Sequence, residues 1–344
     1  KQRRQVEQAT AAADDSINKH FMRRFSRLFA VRRFVAIWIL LVLLLGFGAL
    51  WQVRGMDRFY LETTPVEGGV YREGILGSFT NANPLFATST VDAAVSRLVF
   101  SGLFTVDTNG NVLGDLASKI DVDEEGKTYT VSLRTDVQWH DGEKFDADDV
   151  LFTYRTIKDQ EARSPLRSSW SGVKISKIDQ DTVVFEIPNA LSSFNYALTN
   201  GIVPEHILRD VPLTDLRSSS FNTVNPIGTG PYELNTLEVV GSDIESRQER
   251  IALTKFDDFY RTNEGPDGVV IRSYITEDAL LKDFDEQVIQ SMVGLTSISD
   301  TVLQQKQVQL ISAPLTSSVM SFFNNSSAGL DDVNVRQALV HSVD

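Results

Sequence analysis

One segment near the start of the chain is apolar for 20 consecutive residues. It runs from Phe34 to Val53 and reads FVAIWILLVLLLGFGALWQV, with Arg33 and Arg54 on either side. At about 1.5 Å per residue, a helix of this length measures roughly 30 Å, which matches the hydrocarbon core of a bilayer. A cleavable signal peptide has a shorter apolar run of about 7–15 residues. The segment therefore predicts a transmembrane helix that is retained as a signal anchor; a cleaved signal peptide and a buried core helix are the alternatives.

The charge of the chain changes sign across this segment. Residues 1–58 contain 11 of the 33 Lys and Arg residues but only 4 of the 46 Asp and Glu residues, a net charge of +7. Since the whole chain carries −13, the remainder carries −20, which excludes a nucleic acid as a partner. Basic residues before a span mark its cytoplasmic side. We therefore expect a single-pass protein with residues 1–33 in the cytoplasm, residues 34–53 in the lipid bilayer of the cell membrane, and the large domain outside.

The sequence contains no cysteine. This excludes disulfides, Cys-ligated zinc, iron–sulfur clusters, a thiol nucleophile and a lipidated N-terminal cysteine. The chain begins with Lys1 rather than Met, and its last helical pattern, from Asp331, still continues at Asp344. We therefore expect the printed sequence to be part of a longer protein.

Catalytic motifs do not emerge from the sequence. Its four histidines form no HExxH pair, and no G-x-S-x-G motif is present. Gly126-Lys127-Thr128 imitates the end of a phosphate-binding loop, but Asp121 stands where the first glycine is needed. His140-Asp141 fits a structural turn better than a metal site, because adjacent residues rarely chelate one ion. We predict that the protein is not an enzyme and uses no cofactor or metal.

Outside the apolar segment the pattern is that of a mixed α/β domain. Thr128–Leu133 alternates between apolar and polar residues, as a half-buried strand does. Ser89 or Thr90 is placed to cap a helix that begins near Val91, and Asp146 to cap a second helix. The other predicted elements are strands at 70–76, 104–106, 173–178, 182–187, 232–238, 250–256, 269–275, 308–311 and 319–323, and helices at 191–199, 277–289 and 331–344.

Several segments together resemble one protein family. In order, they are LVFSGLF at 98–104, the turn at 107–111, DLA at 115–117, GKTYTVSLR at 126–134, VQWHDGEKFDADDVLFTY at 137–154, VPEH at 203–206, NPIGTGPYEL at 225–234 and VNVRQALVHSVD at 333–344. These segments are similar to the family 5 extracellular solute-binding proteins of ABC importers, which include peptide and nickel receptors. The resemblance covers about residues 70–344.

The resemblance implies an α/β fold with two lobes, of the periplasmic-binding-protein type with an extra inserted subdomain. Lobe one would combine residues 60–88 with 190–275, and the inserted subdomain would span 89–189. The second lobe would start at 276 and be incomplete at 344. A polar stalk at 54–68 would connect these parts to the transmembrane helix at 34–53 and to the basic cytoplasmic segment at 1–33.

Physical reasoning assigns the most specific motifs to the scaffold rather than to a binding site. Gly228 and Gly230 are expected to supply permissive backbone angles, and Pro231 fixes the angle that follows. Trp139 and Phe145 are expected to pack beneath the turn at 141–142. The WHDG motif is therefore not predicted to contact a ligand.

The predicted ligand-binding residues are Thr88, Ser89 and Thr90, where the free amides of a helix N-terminus face outward. The resemblance implies the same segment, because receptors of the family lay the ligand backbone along it. Trp170 is predicted to close over a ligand side chain. The alternatives are a plain capping loop for residues 88–90 and core packing for Trp170.

These features predict a membrane-anchored, extracytoplasmic bacterial protein that captures a small solute, first of all a peptide, between two lobes. The resemblance implies that it passes the solute to an ABC permease and its ATPase. Nickel chelates, sugars and other solutes stay open as ligands. A receptor that senses the ligand and signals through a partner protein is the main alternative, and an anchored hydrolase is a weaker one.

Overall fold

The computed structural model describes residues 32–60, 68–241, 247–295 and 323–342, together with 298, 302 and 308–311. The chain falls into two units, one up to Val66 and one from Glu67 onward. Residues 1–31 and 61–67, which carry most of the predicted cytoplasmic segment and part of the predicted stalk, lie outside the described residues.

The first unit contains helix α1, which spans Arg32–Tyr60. It covers the whole apolar segment and continues through residues 54–60, so the beginning of the predicted stalk is helical. The side chains described in α1, those of residues 34, 36–49, 51 and 52, are exposed on every face of the helix. Within the described residues, no helix is long and apolar enough to cross a membrane. The transmembrane span stays a prediction.

The larger sheet of the second unit is mixed. Its strands are β1 (Val70–Leu76), β8 (Tyr232–Val240), β9 (Gln248–Lys255), β10 (Gly268–Tyr274) and β11 (Ser291–Val293). They lie in the order β11-β1-β10-β9-β8, with β1 parallel to β10 and β11 and with β9 antiparallel to its neighbours. β10 reads GVVIRSY and is buried along almost its whole length, as is typical of a central strand covered on both faces. Val70 pairs with Gly268, so the chain leaves this sheet after β1 and returns to it much later.

The smaller sheet is antiparallel and lies within that excursion. Its strands are β4 (Ala117–Val122), β5 (Thr128–Leu133), β6 (Lys174–Asp179) and β7 (Thr182–Glu186), in the order β4-β5-β7-β6. β2 (Phe104–Val106) and β3 (Val112–Gly114) form a separate hairpin. In β5 the buried residues are Tyr129, Val131 and Leu133, which confirms the predicted alternation.

The second unit contains six described helices, and polar side chains cap the four longer ones. The six are α2 (Thr90–Val99), α3 (Ala147–Lys158), α4 (Phe194–Ala197), α5 (Glu205–Leu208), α6 (Glu277–Asp285) and α7 (Val333–His341), with short 3-10 turns at 167–170, 216–218 and 220–222. Ser89 caps α2 and Asp146 caps α3, as predicted, and each cap is a reciprocal capping box.

Four predicted elements differ from the structure. The helix predicted at 191–199 is the single turn α4. The helix predicted at 277–289 ends at Asp285, and Gln287 then adopts a left-handed conformation with φ of 59°. Residues 308–311 form no strand, and most of the strand predicted at 319–323 lies outside the described residues. The last helix begins at Val333 after its cap, Asp332, and ends at His341.

Candidate functional site

The predicted ligand segment, residues 88–90, lies where the loop after β1 enters α2. The side chains of Thr88 and Thr90 are exposed, and that of Ser89 is half-buried. The Ser89 hydroxyl accepts a hydrogen bond from the Asp92 amide at 2.9 Å and donates one to the Ser78 carbonyl at 2.9 Å. The hydroxyl of Ser89 is therefore occupied by the scaffold, while the two threonine side chains face solvent.

A buried carboxylate that the sequence analysis did not single out holds this loop. Oδ1 of Asp92 accepts the amides of Thr80 and Asn81 at 2.7 and 3.2 Å. Oδ2 accepts the Thr80 hydroxyl at 2.7 Å and, at a longer 3.4 Å, the amides of Thr88 and Ser89. One fully buried side chain thus fixes both ends of the loop. The S-x-x-D spacing of a capping box at 89–92 is the sequence signal that could have identified it.

Fewer amides are free in this segment than the sequence predicts. Those of Thr88 and Ser89 point at Asp92, whereas those of Thr90 and Val91 have no hydrogen-bond partner among the described residues. The Asn81 side-chain oxygen is also buried without a partner in the described part of the chain. The two amides at the start of α2 are available to a ligand, and the buried Asn81 oxygen requires an explanation.

Trp170 lies in an aromatic cluster in the interior. Only 3% of its surface is exposed, and its ring centroid is 4.2 Å from that of Tyr154 and 5.8 Å from that of Phe194. A ring enclosed in this way has no free face for a ligand. The position of Trp170 therefore supports core packing, the alternative in the sequence analysis, and it does not bring Trp170 together with residues 88–90.

His140 joins the WHDG turn to the glycine-rich segment at 225–231. Its amide donates to the Gly228 carbonyl at 2.9 Å, and its Nδ1 accepts from the Gly228 amide at 3.2 Å. Its Nε2 lies 3.0 Å from the Gly230 carbonyl, so the ring is assigned as the neutral tautomer with the proton on Nε2. Burial lowers the pKa of His140, which favours the same neutral form. With both ring nitrogens engaged, His140 acts as a structural residue.

The reason predicted for the two glycines is wrong. Neither Gly228 nor Gly230 is among the glycines with positive φ, so their backbone angles are open to other residues. A Cβ at Gly228 would instead overlap the carbonyl oxygen of Val99, and one at Gly230 would overlap that of Leu98. The glycines are required because this segment passes directly against the end of α2, where the Gly230 amide donates to Val99 at 2.8 Å.

Trp139 and Phe145 are both buried beneath the WHDG turn, with ring centroids 6.2 Å apart, as predicted. The Trp139 indole donates to the carboxylate of Asp149 at 3.2 Å. This carboxylate also accepts the amides of Asp146 at 3.1 Å and Glu205 at 2.8 Å. Burial raises the pKa of Asp149 to about 6, and the three N–H donors oppose this shift only in part.

A second polar cluster, also missed by the sequence analysis, joins the DLA motif to the loop after β9. The Tyr260 hydroxyl donates to the buried carboxylate of Asp115 and lies 2.9 Å from the Ser101 hydroxyl. Arg261 makes an ion pair with Asp115 at 3.2 Å. Burial raises the pKa of Asp115. Because Asp115 and Tyr260 are far apart in sequence, no local pattern indicated their contact.

A concave surface lies away from the predicted ligand segment. A groove of about 270 Å³ runs along α3 and is lined by Asp148, Leu151, Phe152, Arg155, Thr156, Asp159, Glu205 and Leu213. None of the predicted ligand-binding residues contributes to it. Among the described residues, no cluster of His, Asp and Glu is arranged to hold a metal ion.

The sequence of this chain is similar to those of known solute-binding proteins. The model of the bacterial extracellular solute-binding proteins, family 5, matches residues 111–344. The oligopeptide-binding protein AppA of Bacillus subtilis is 26% identical over 283 residues, which are 81% of this chain and 51% of the relative. The dipeptide-binding protein of Escherichia coli is 29% identical over 295 residues, 78% of this chain and 52% of the relative. These relatives are named for binding, in agreement with the prediction that the protein is not an enzyme.

The chain also superimposes on solved structures of solute-binding proteins. NikZ from Campylobacter jejuni in complex with Ni(L-His) superimposes with a TM-score of 0.64 at 27% identity, covering 80% of this chain and 53% of that one. AppA from Bacillus subtilis in complex with a nonapeptide gives a TM-score of 0.58 at 28% identity, covering 66% of this chain and 44% of that one. These likenesses support the predicted α/β, two-lobed binding-protein fold. The chain spans about half the length of the relatives it matches.

Proposed function

We propose that this chain, which belongs to the family 5 bacterial extracellular solute-binding proteins, carries part of the binding site of a receptor that captures small peptides for an ABC importer. The observation that carries the proposal is the loop ending at Thr88–Thr90. Asp92 accepts hydrogen bonds from both ends of this loop, yet the amides of Thr90 and Val91 stay unpaired among the described residues. A peptide backbone supplies carbonyl acceptors for such amides.

The choice of a peptide rests on the relatives. Two of them are named for oligopeptides and dipeptides, and one related structure holds a nonapeptide. The relative that holds Ni(L-His) makes a nickel chelate the competing ligand. In the described residues, no cluster of metal ligands favours nickel itself.

The proposed domain organisation follows the two sheets. Lobe one, residues 60–88 with 190–275, contains β1, β8, β9 and β10, and the inserted subdomain, residues 89–189, contains the antiparallel sheet of β4 to β7. The pairing of β1 with β10 supports this division, because it makes the intervening chain an excursion from one sheet. Residues 276–344 would begin the second lobe, except that β11 (291–293) pairs with β1 and so lies in the sheet of lobe one. A ligand between the two lobes would be buried by both.

The same proposal places residues 34–53 in the bilayer as an anchor. Its support is the printed sequence, with 20 apolar residues and a basic segment before them, together with the exposure of every described side chain in α1. The permease, driven by its cytoplasmic ATPase, would then receive the solute at the extracytoplasmic face of the cell membrane. Delivery to a permease rests on family membership alone.

Binding tests the peptide proposal directly. Residues 59–344 and the complete protein are titrated calorimetrically with a mixture of di- to pentapeptides, and separately with Ni(L-His). We expect micromolar or tighter peptide binding by the complete protein, roughly −8 kcal/mol, and at best millimolar binding by residues 59–344 because half of the contacts are missing. Binding of Ni(L-His) alone would contradict the choice of a peptide.

A pair of substitutions localises the site in that experiment. Thr90→Arg places a bulky side chain on the ligand segment and should weaken peptide binding at least about tenfold. Thr108→Arg, on an equally exposed turn between β2 and β3, is the matched control and should leave binding unchanged. Equal effects of the two variants would place the ligand elsewhere.

Cysteine labelling tests the anchor, since the chain has no cysteine of its own. In intact cells, Ser78→Cys should react with a membrane-impermeant maleimide, and Ser16→Cys should react only after lysis. The reverse pattern, or a soluble product shorter by about 50 residues, would show that residues 34–53 do not anchor the protein in this orientation.

A further inference from the structure

We propose that Asp92 is a positioning residue for the ligand segment: it sets the backbone of residues 88–90 without touching the ligand. The inference rests on the proposed function of that segment. Asp92 lies in the first turn of α2 and has no exposed surface, so it has no direct route to a solute. Any effect on binding must pass through the groups that it holds.

The two oxygens of Asp92 divide the loop between them. Oδ1 accepts only from the beginning of the loop, the amides of Thr80 and Asn81. Oδ2 accepts the Thr80 hydroxyl and also the amides of Thr88 and Ser89 at the end of the loop. One carboxylate therefore limits the distance between the two ends of the loop, because both ends donate to the same pair of oxygens.

A second observation connects this loop to a ligand. Asn81, whose amide is bound to Asp92, is 7% exposed, and its side-chain oxygen has no partner among the described residues. The amides of Thr90 and Val91, just beyond Asp92's reach, are unpaired as well within the same residues. A buried acceptor and two free donors border the segment that Asp92 orders. A buried polar group without a partner requires an explanation, and completion of this surface by a ligand is the explanation proposed for Asn81.

The capping box of α3 supplies a matched comparison. Asp149 occupies the same place as Asp92, three residues after its N-cap, and is also buried. Its partners are Trp139, Asp146 and Glu205, and none of them belongs to the loop between β1 and α2. Asp92 and Asp149 therefore complete the capping boxes of their helices in the same way, but they accept hydrogen bonds from different parts of the chain.

Asp92→Asn is the informative substitution. The amide keeps the shape of the side chain and one acceptor oxygen, but its NH2 group cannot accept a hydrogen bond. Whichever way it is oriented, one end of the loop loses its acceptor. Asp149→Asn is the control, because it imposes the same chemical change on the other capping box.

Hydrogen exchange of the full chain, read amide by amide, gives the first result. Asp92→Asn should speed exchange at Thr88 and Ser89, or at Thr80 and Asn81, by at least about tenfold and leave Asp146 and Glu205 unchanged. Asp149→Asn should do the opposite. If Asp92→Asn unfolds the chain, Thr80→Val tests the proposal instead, because it deletes one hydrogen-bond donor to Asp92 and leaves the cap of α2 intact. Thr80→Val should give a smaller increase in exchange rate at the same amides. Unchanged exchange in the loop would overturn the proposal.

The affinity of the complete protein for tri-alanine, measured well below the melting temperature of each variant, gives the second result. Asp92→Asn should weaken binding about tenfold or more, and Asp149→Asn should stay within about twofold of the unmutated chain. Equal losses in both variants would mean that Asp92 acts only through stability and would overturn the positioning role. If the complete unmutated protein does not bind tri-alanine, the peptide proposal fails, while the exchange result still decides whether Asp92 orders the segment.

Discussion

Two regions of the molecule depend on buried polar side chains. One is the junction, where the WHDG turn at 139–142 meets the segment 225–231 around His140, and the other is the loop at 77–89 before α2. They differ in which polar groups they leave without a hydrogen-bond partner. At the junction, His140 uses its amide and both ring nitrogens, the Asp149 carboxylate accepts three N–H donors, and the unpaired group is the buried hydroxyl of Thr229, which has no partner among the described residues. In the loop, Asp92 is just as fully engaged, yet the Asn81 side-chain oxygen and two amides at the start of α2 find no partner among the described residues.

The two regions also differ in their sequences, because the junction contains recognisable motifs and the loop does not. The junction contains WHDG and NPIGTGPY, the most specific segments of the chain, because two backbone segments that pass so closely tolerate few residue types. The loop contains ordinary residues, since solvent-facing threonines and main-chain amides impose little on the sequence. The strongest motifs of this protein therefore mark contacts of the chain with itself.

The largest expected effect tests the close approach at the junction. Gly228→Ala should destabilise the protein by more than about 3 kcal/mol, because its Cβ would overlap the Val99 carbonyl and backbone atoms cannot easily move aside. Gly142→Ala is the control: its Cβ would meet open space, and only the φ of 87° opposes it, at a cost of about 1–2 kcal/mol. Chemical denaturation measures both. Equal losses of stability in the two variants would mean that backbone angles, and not the contact with Val99, explain the glycine at position 228.

A pH effect of similar size tests the buried carboxylate of the junction. The pKa of Asp149 is raised from 3.8 to about 6, so the folded state holds this proton more tightly than the unfolded state. Its contribution to stability is therefore fully present below about pH 4 and is lost as the pH rises to about 6, by up to about 3 kcal/mol. The difference in unfolding free energy between the unmutated chain and Asp149→Asn should decrease by this amount between pH 4 and pH 7. A difference that does not depend on pH would mean that Asp149 titrates normally.

The smallest expected effect is that of a substitution at His140, which should change the stability of the junction without changing ligand binding at the loop. His140→Ala leaves the Gly228 amide and the Gly230 carbonyl without their partner and should cost about 1–3 kcal/mol of stability. Peptide affinity of the folded variant should not change, because His140 contacts the scaffold alone. A stable His140→Ala protein that no longer binds would move the site to the junction and reverse the comparison.

The sequence alone determined the elements whose causes are local. The alternation of Thr128–Leu133 and the caps at Ser89 and Asp146 act within a few residues, and the structure has them where the pattern predicts them. The order of the motifs was sufficient for the family, and the absence of cysteine excluded several chemistries. Element ends were less well determined, as the early end of α6 at Asp285 demonstrates.

Only the tertiary structure decided what the individual residues do. Whether Trp170 faces a ligand or the core depends on Tyr154 and Phe194, and the reason for Gly228 lies in the carbonyl of Val99, more than a hundred residues earlier. The same holds for the pairing of Asp115 with Tyr260. Local patterns report on the conformation of a segment, since helix and strand periodicity arise within it. They carry no information about which distant segment closes upon it, and that contact assigns each of these residues its role.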